Sequence, residues 1–268
     1  MCRLLGIVSS EPTAFRILLR ESPRSLAVLS EEHPDGWGIA VHNDSHPDGF
    51  RIQKQARCAK LDEMFHEHAL EARGTTLVAH IRKKTVGPTS IDNTHPFRCG
   101  RWVFAHNGTV KDTAYLRAHT SDARRGEVRG DTDSELLFAH LLTALDDASA
   151  HEPDGRDRAD TALASTVAAL RSRPDLGTFN FLLSDGEVTY AHRFGRSLYI
   201  LERRPHEPSS IRRLSVEGPD TEPPKSSRRH AVFVASEQIT DEAWQELPEG
   251  TLMRIDRAPR PSWRTLSS

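Results

Sequence analysis

The chain of 268 residues carries 36 Lys+Arg against 38 Asp+Glu, a formal net charge of -2, so no bulk electrostatic attraction draws it to nucleic acid or a membrane surface. No run approaches the roughly 18 apolar residues that a spanning helix needs; a partner nucleic acid and a membrane are both excluded as expectations. Three scattered cysteines, Cys2, Cys58 and Cys99, suit a reducing compartment better than a disulfide framework, and with no basic-then-apolar leader the expected location is cytoplasmic.

In chain order, Cys2 to Val8 is a short apolar run that predicts a buried strand at the terminus. A helix is expected from about Thr13 to Leu29, then strands at Ile39 to Val41 and Phe50 to Gln53, and a helix from about Leu61 to Glu71. Thr75 to Ile81 and Trp102 to Ala105 are β-rich runs that end in polar clusters. Thr132-Asp133-Ser134-Glu135 matches a capping box ahead of a helix body over Leu136 to Leu145, and a second helix is expected within Asp160 to Leu170. Phe179 to Leu183, Val188 to Arg193 and Leu198 to Leu201 predict a strand meander with a turn at Asp185-Gly186. Residues 203–229, rich in Pro, Ser and Arg, predict a long surface loop. A strand at Ala231 to Ala235, a short helix near Asp241 and a strand from Thr251 to Ile255 close the chain. Without internal repeats or a linker, the reading is one α+β domain over 1–268 with mainly antiparallel strands.

Several motifs carry chemistry. Cys2 becomes the first residue once Met1 is removed, which methionine aminopeptidases do before small side chains. Its thiol then sits beside a free α-amine whose ordinary pKa is near roughly 7.7, a base able to take the thiol proton. Taken alone, Cys2 reads first as an ordinary cysteine opening a strand. Arg82, with Thr85 close behind it, stands where a strand meets a Gly-containing turn; a guanidinium there pairs a carboxylate bidentately, or is a surface arginine in a basic turn with Lys83 and Lys84. His106-Asn107-Gly108 offers an amide and a glycine N–H suited to an oxyanion, although Asn-Gly alone favours a hairpin turn. Asp133, in the first turn of a helix, can hold an ammonium or complement the helix dipole, and in isolation the second reading leads. Trp37, between Gly36 and Gly38, is expected to be mainly structural, and His95 is as readily structural as participating.

Taken in order, these residues resemble a class II glutamine amidotransferase domain of the N-terminal nucleophile (Ntn) hydrolase superfamily. The likeness runs through Met1-Cys2, Asp35-Gly36-Trp37-Gly38-Ile39-Ala40-Val41, Ala79-His80-Ile81-Arg82 with Thr85 and Gly87, Asn93-Thr94-His95-Pro96-Phe97, Ala105-His106-Asn107-Gly108 and Thr132-Asp133-Ser134-Glu135. It covers the first half of the chain strongly. Asn180-Phe181-Leu182-Leu183 and Val234-Ala235-Ser236-Glu237 are looser echoes of stand-alone members, such as the γ-glutamyl hydrolase of ergothioneine synthesis. The resemblance implies a four-layer αββα sandwich of two mainly antiparallel sheets, with Cys2 as nucleophile and its amine as base. Asn107 and Gly108 would form the oxyanion hole, Arg82 and Asp133 would hold the α-carboxylate and α-ammonium of a glutamyl substrate, with Thr85 beside them. Trp37, His80, His95 and His106 are the supporting candidates. Two departures touch the pocket edge: His33-Pro34 replaces the usual Arg-Gly, and Lys83 follows the arginine where Trp is frequent.

The implied reaction is attack on the side-chain amide of glutamine or a γ-glutamyl amide, release of ammonia or an amine, and hydrolysis of a γ-glutamyl thioester. The chain length leaves no room for a fused synthase, and no P-loop or Rossmann fingerprint is present. A glutaminase serving a separate ammonia-accepting synthase, a γ-glutamyl amide hydrolase, and a catalytically silent regulatory protein are the three readings; the complete residue set counts against the last. No cofactor is expected. His66 and His68 lack the His-Glu-x-x-His spacing, and His42 and His46 flank a turn, so no metal is expected either.

Overall fold

The computed structural model describes residues 2–47, 49–150, 155–205 and 229–267. In chain order, β1 (Arg3–Ala14) leads to a π-type turn of helix at Ile17–Glu21 and α1 (Leu26–Leu29). The hairpin of β2 (Gly36–His42) and β3 (Phe50–Gln55) is followed by α2 (Glu63–Glu71), β4 (Arg73–Arg82), β5 (Phe97–Cys99) and β6 (Trp102–Val110). Next come α3 (Thr113–Ala118), α4 (Asp122–Arg125), α5 (Asp133–Asp147) and α6 (Arg156–Arg171). The remaining strands are β7 (Gly177–Ser184), β8 (Val188–His192), β9 (Tyr199–Arg203), β10 (Ala231–Ala235), β11 (Gln245–Glu246), β12 (Leu252–Asp256) and β13 (Ser262–Leu266).

Two antiparallel sheets result, ordered β11-β9-β10-β1-β4-β2-β3 and β13-β12-β8-β7-β6-β5. Strand alternation divides each between two cores. Leu4 and Val8 of β1 meet Ala40, Val78, Val103, Ala105 and Leu182 between the sheets. Leu5 and Ile7 point the other way, onto Leu26 of α1 and Phe65 and Ala69 of α2. On the far side, Phe104, Phe179 and Phe181 pack under Leu137, Leu141 and Leu145 of α5 and Leu163 and Val167 of α6. Burial of each such side chain contributes roughly 1.5–3 kcal/mol. The architecture is the α+β, four-layer αββα sandwich that the resemblance implied.

Several local expectations need correction. No single helix spans Thr13 to Leu29: β1 runs on to Ala14, with a register shift between Val8 and Thr13, and Pro23 lies between the two short helical pieces. Pro cannot continue a helix whose preceding residues need its N–H. The strand beginning at Trp102 does not stop at Ala105. It carries His106-Asn107-Gly108 within it, with Asn107 opposite Asn180 and Gly108 opposite Phe179, so this Asn-Gly is not a hairpin turn. Only β7 and β8 form the expected meander, turning at Gly186 with φ +90°; β9 crosses to the other sheet and pairs with β10. No helix forms near Asp241, where the chain bends into β11. β13, α3 and α4 have no counterpart in the sequence reading. Most of the expected surface loop, residues 206–228, lies outside the described residues.

The cap of α5 is also built differently. Thr132 accepts from the Glu135 N–H at 3.3 Å, but the Glu135 carboxylate reaches past the cap residue to the N–H groups of Arg129 (3.1 Å) and Gly130 (2.6 Å). That ties the approaching loop to the helix start rather than closing a reciprocal box.

Candidate active site

Cys2 lies just ahead of β1, half-buried, where the strand begins beside the end of β4. Its thiol donates to the Lys83 carbonyl at 3.4 Å and its sulfur accepts from the Lys83 N–H at 3.3 Å. The register explains the meeting: β1 pairs antiparallel with β4, Arg3 opposite Ile81, so continuing it by one residue sets Cys2 opposite Arg82 and within reach of the Lys83 backbone. Burial pushes the thiol pKa up; the Lys83 N–H and the Arg82 charge pull it down, and Asp133 raises it. Cys2, Arg82 and Asp133 therefore lie within electrostatic reach of one another, although they come from three separate elements.

Arg82 is buried at the end of β4. Its guanidinium donates to the Pro88 carbonyl at 3.0 Å and the Val86 carbonyl at 2.9 Å, bonds that set the plane of the group. Desolvation lowers its pKa, while Cys2 and Asp35 raise it. Asn93, wholly buried, braces the same loop: it donates to Pro88 at 3.1 Å and accepts from the Asp131 N–H at 2.8 Å. Loop 83–96 is thereby tied to the segment leading into α5. In the sequence Asn93 is only part of a loop motif; its bracing role depends on the tertiary contact to Asp131. Lys84 is anchored too, its N–H donating to Asp35 at 2.9 Å.

Asp133 opens α5, where the free N–H groups of a helix start favour an anion. One oxygen, Oδ2, accepts from the Val110 N–H at 2.6 Å, joining the helix to the end of β6. No described residue bonds Oδ1. Asn107 sits on β6 with the parity of Val103 and Ala105, which face the space between the sheets, and its amide has no partner among the described residues. β6 packs against both β1 and β4, so this amide and the cysteine belong to the same inter-sheet region. A Cβ on Gly108 would fall 2.1 Å from the Thr178 carbonyl and 2.7 Å from His106 Nε2, so only glycine lets β6 approach β7 this closely. Across the ladder Asn180 donates to the carbonyls of Arg196 and Ser197, both at 3.0 Å, and accepts from the Phe194 N–H at 2.8 Å.

The candidate histidines are all buried. The rings of His80 and His95 lie 4.3 Å apart, and His95 meets Phe97 at 4.4 Å. Their ring nitrogens are buried without a well-formed hydrogen bond. Desolvation pushes the His80 pKa down to about 3 and that of His95 well below its ordinary value, with the other histidines adding to the effect. His106 bonds Ser134 Oγ through Nδ1 at 2.8 Å and the Thr178 carbonyl through Nε2 at 3.3 Å. A carbonyl can only accept, so the proton is on Nε2 and Nδ1 takes the Ser134 hydroxyl. Burial lowers the pKa of that ring, against the opposing pull of Asp133.

Two candidates stand apart. Trp37 points to the helix side, its Nε1 donating to Asp62 at 2.8 Å and its ring meeting Phe65 at 5.2 Å; it supports the sheet from behind. Thr85 is exposed on a bend of the loop after β4. At the rim, His33 is buried, bonded through Nδ1 to the Leu29 carbonyl at 2.7 Å. Its pKa is lowered by burial, with contributions from Arg3 and Lys83. Ser236 clasps the start of β1, accepting from the Leu4 N–H at 3.0 Å and donating its own N–H to the Leu4 carbonyl at 3.1 Å.

No group of three or more His, Cys, Asp or Glu among the described residues is placed to hold a metal, and no helix among them is long and apolar enough to cross a membrane.

The sequence profile of the family described as Glutamine amidotransferases class-II matches residues 1–263. The γ-glutamyl-hercynylcysteine sulfoxide hydrolase of Mycobacterium tuberculosis is 29% identical over 97% of this chain and 100% of its own length. Among solved structures, a glutamine aminotransferase class-II domain protein from Silicibacter pomeroyi matches with a TM-score of 0.61 and 20% identity, over 99% of this chain and 100% of that one. The glutamine PRPP amidotransferase of Bacillus subtilis matches with a TM-score of 0.61 and 15% identity, over 99% of this chain and 49% of that one. At such identities the two structural likenesses speak for the fold.

Proposed function

The chain belongs to the class II glutamine amidotransferase family, and from that premise we propose that it hydrolyses the side-chain amide of glutamine or a γ-glutamyl amide with Cys2 as nucleophile. The observation that carries this reading is the convergence on the Cys2 sulfur of Arg82 and Lys83, at the end of β4, and Asp133, at the start of α5. With Met1 removed, the α-amine of Cys2 takes the thiol proton, a necessary step because burial disfavours a spontaneous thiolate. The sulfur attacks the amide carbon, and the oxyanion is held by the unpartnered Asn107 amide and the Gly108 N–H. The C–N bond breaks as the proton passes to nitrogen, ammonia or an amine leaves, and water hydrolyses the γ-glutamyl thioester to release glutamate and the thiol. Arg82, already oriented by two carbonyls, receives the α-carboxylate, and the free oxygen of Asp133 receives the α-ammonium, with Thr85 at the rim of that pocket. The protein's own groups carry every step, so no cofactor is invoked.

The end-to-end likeness to a γ-glutamyl hydrolase supports a substrate whose leaving group is discarded; delivery of ammonia to a separate synthase is the second reading. Purified protein is to be assayed for ammonia or amine release from glutamine and a panel of γ-glutamyl amides, beside its Cys2→Ala variant. The wild type is expected to turn over at least one member and the variant to lose at least about a thousandfold. Equal rates in the two proteins, or an intact mass showing Met1 retained in active protein, would refute the mechanism.

A further inference from the structure

On the helix side of the first sheet, well separated from the Cys2 cluster in its residues, a pocket of about 360 Å³ opens between the β2–β3 hairpin and the end of α2. It arises because α2 stops at Glu71. That helix covers the Trp37 end of β2, Phe65 meeting the indole at 5.2 Å, but it ends short of Val41, which stays part-exposed beside the buried Ile39. Ile39, Val41 and Ala72 make an apolar floor, while Gln53, His68, Glu71, Arg51 and Arg73 stand around it.

Two features of this ring point to a ligand. Gln53, His68 and Arg73 make no side-chain hydrogen bond or ion pair with any described residue, yet their neighbours do: Lys54 donates to the Thr94 carbonyl at 2.7 Å and Gln55 to Met64 Sδ at 3.4 Å. The charges are also unequal. Glu71 is paired with Arg51 at 3.8 Å, which leaves the Arg73 guanidinium as the uncompensated charge at the rim. An apolar floor with a few convergent polar groups is the usual form of a small-molecule site, and the volume falls in the ordinary range of roughly 300–1,000 Å³.

We propose that this pocket binds a small organic anion, a carboxylate or phosphate carried on a flat apolar body. The anionic group pairs with Arg73, the amide of Gln53 and ring of His68 supply directional bonds, and the apolar body lies on Ile39 and Val41.

The test uses 8-anilinonaphthalene-1-sulfonate, whose flat rings and single anionic group match that description, in a fluorescence titration of the full-length protein. Its uncharged analogue N-phenyl-1-naphthylamine is titrated in parallel. Saturable binding at one site is expected. Arg73→Gln should weaken the sulfonate by about tenfold, the worth of one charge-assisted bond, while leaving the uncharged analogue unchanged. Val41→Trp, which fills the floor, should weaken both. Arg73 is exposed, so its variant folds irrespective of the outcome at Val41. Sulfonate affinity that is absent, or equal in the wild type and Arg73→Gln, overturns the proposal. Competition by benzoate and by phenyl phosphate identifies which anion is preferred, and displacement by inorganic phosphate at the same concentration as either would overturn the role of the apolar floor. Ammonia release is not the readout, so the result stands apart from the role of Cys2.

Discussion

The backbone of Lys83 brackets the sulfur of Cys2, its N–H donating at 3.3 Å and its carbonyl accepting at 3.4 Å. A thiol satisfies both groups at once; a thiolate keeps the first and loses the second, facing the carbonyl lone pairs instead. That asymmetry acts with burial, the dominant cause of the raised thiol pKa. It sets a resting state in which the proton stays on sulfur until a base removes it.

The thiol titration follows. In a pH series of iodoacetamide alkylation followed by peptide mass analysis, Cys2 should react with an apparent pKa above that of a free thiol. Asp133→Asn removes a charge that raises it and should move the profile to lower pH, whereas Arg82→Gln should move it higher. Shifts in the opposite sense would show that these charges do not act on the sulfur.

Asn107 and Gly108, adjacent on β6, are expected to respond differently. Gly108→Ala places a methyl 2.1 Å from the Thr178 carbonyl, so urea unfolding should register a loss of about 1–3 kcal/mol. Asn107→Ala deletes an amide with no protein partner and should cost stability little, while ammonia release falls by about 10²–10³. Unaltered turnover in a folded Asn107→Ala protein would remove that amide from the oxyanion assignment.

Acid stability is governed by the buried histidines. His80 is neutral down to about pH 3, and His95 is depressed in the same sense, against an unfolded value near roughly 6.5. Between those limits the unfolded chain binds the extra protons, so stability is full above about pH 6.5 and declines as pH falls, by about 1.4 kcal/mol per pH unit for each such histidine. Urea midpoints measured from pH 7 to 4 should fall accordingly, and His95→Leu should flatten the slope. A slope identical to wild type would place the proton uptake elsewhere.

Asp160 supplies a test remote from the thiol. It accepts from Tyr190 Oη at 2.8 Å, Arg254 Nη1 at 2.9 Å and Arg264 Nη2 at 2.7 Å, tying α6 to β8, β12 and β13. Asp160→Ala strands buried polar groups and is expected to cost about 3 kcal/mol, since Asp256 still pairs with Arg254 at 2.5 Å. Alkylation of Cys2 in the folded variant should be unchanged; a slowed reaction would mean that the helix layer transmits to the site.

What the sequence determined by itself was local and ordered. Short continuous apolar and β-rich runs marked β1, β2, β4, β7, β10 and β12, because such runs are a property of neighbouring residues. The Thr132 cap and the apolar stripe behind it marked α5. The candidate residues Cys2, Arg82, Asn107-Gly108 and Asp133 could be picked out along the chain because each carries a particular donor, acceptor or nucleophile. The tertiary structure alone decided where those groups meet. Cys2 and Lys83 are separated by 81 positions, and the antiparallel register of β1 on β4 is what brings them together. Asn107-Gly108 reads as a turn within its own few residues and becomes a strand only because β7 supplies the ladder. Trp37 was placed behind the sheet by strand parity relative to a core that no local pattern specifies, and β9 left its expected neighbour for β10 because pairing is a non-local choice. Side-chain periodicity is set along the chain; register, sheet partner and the facing of each strand are set by contacts between distant segments.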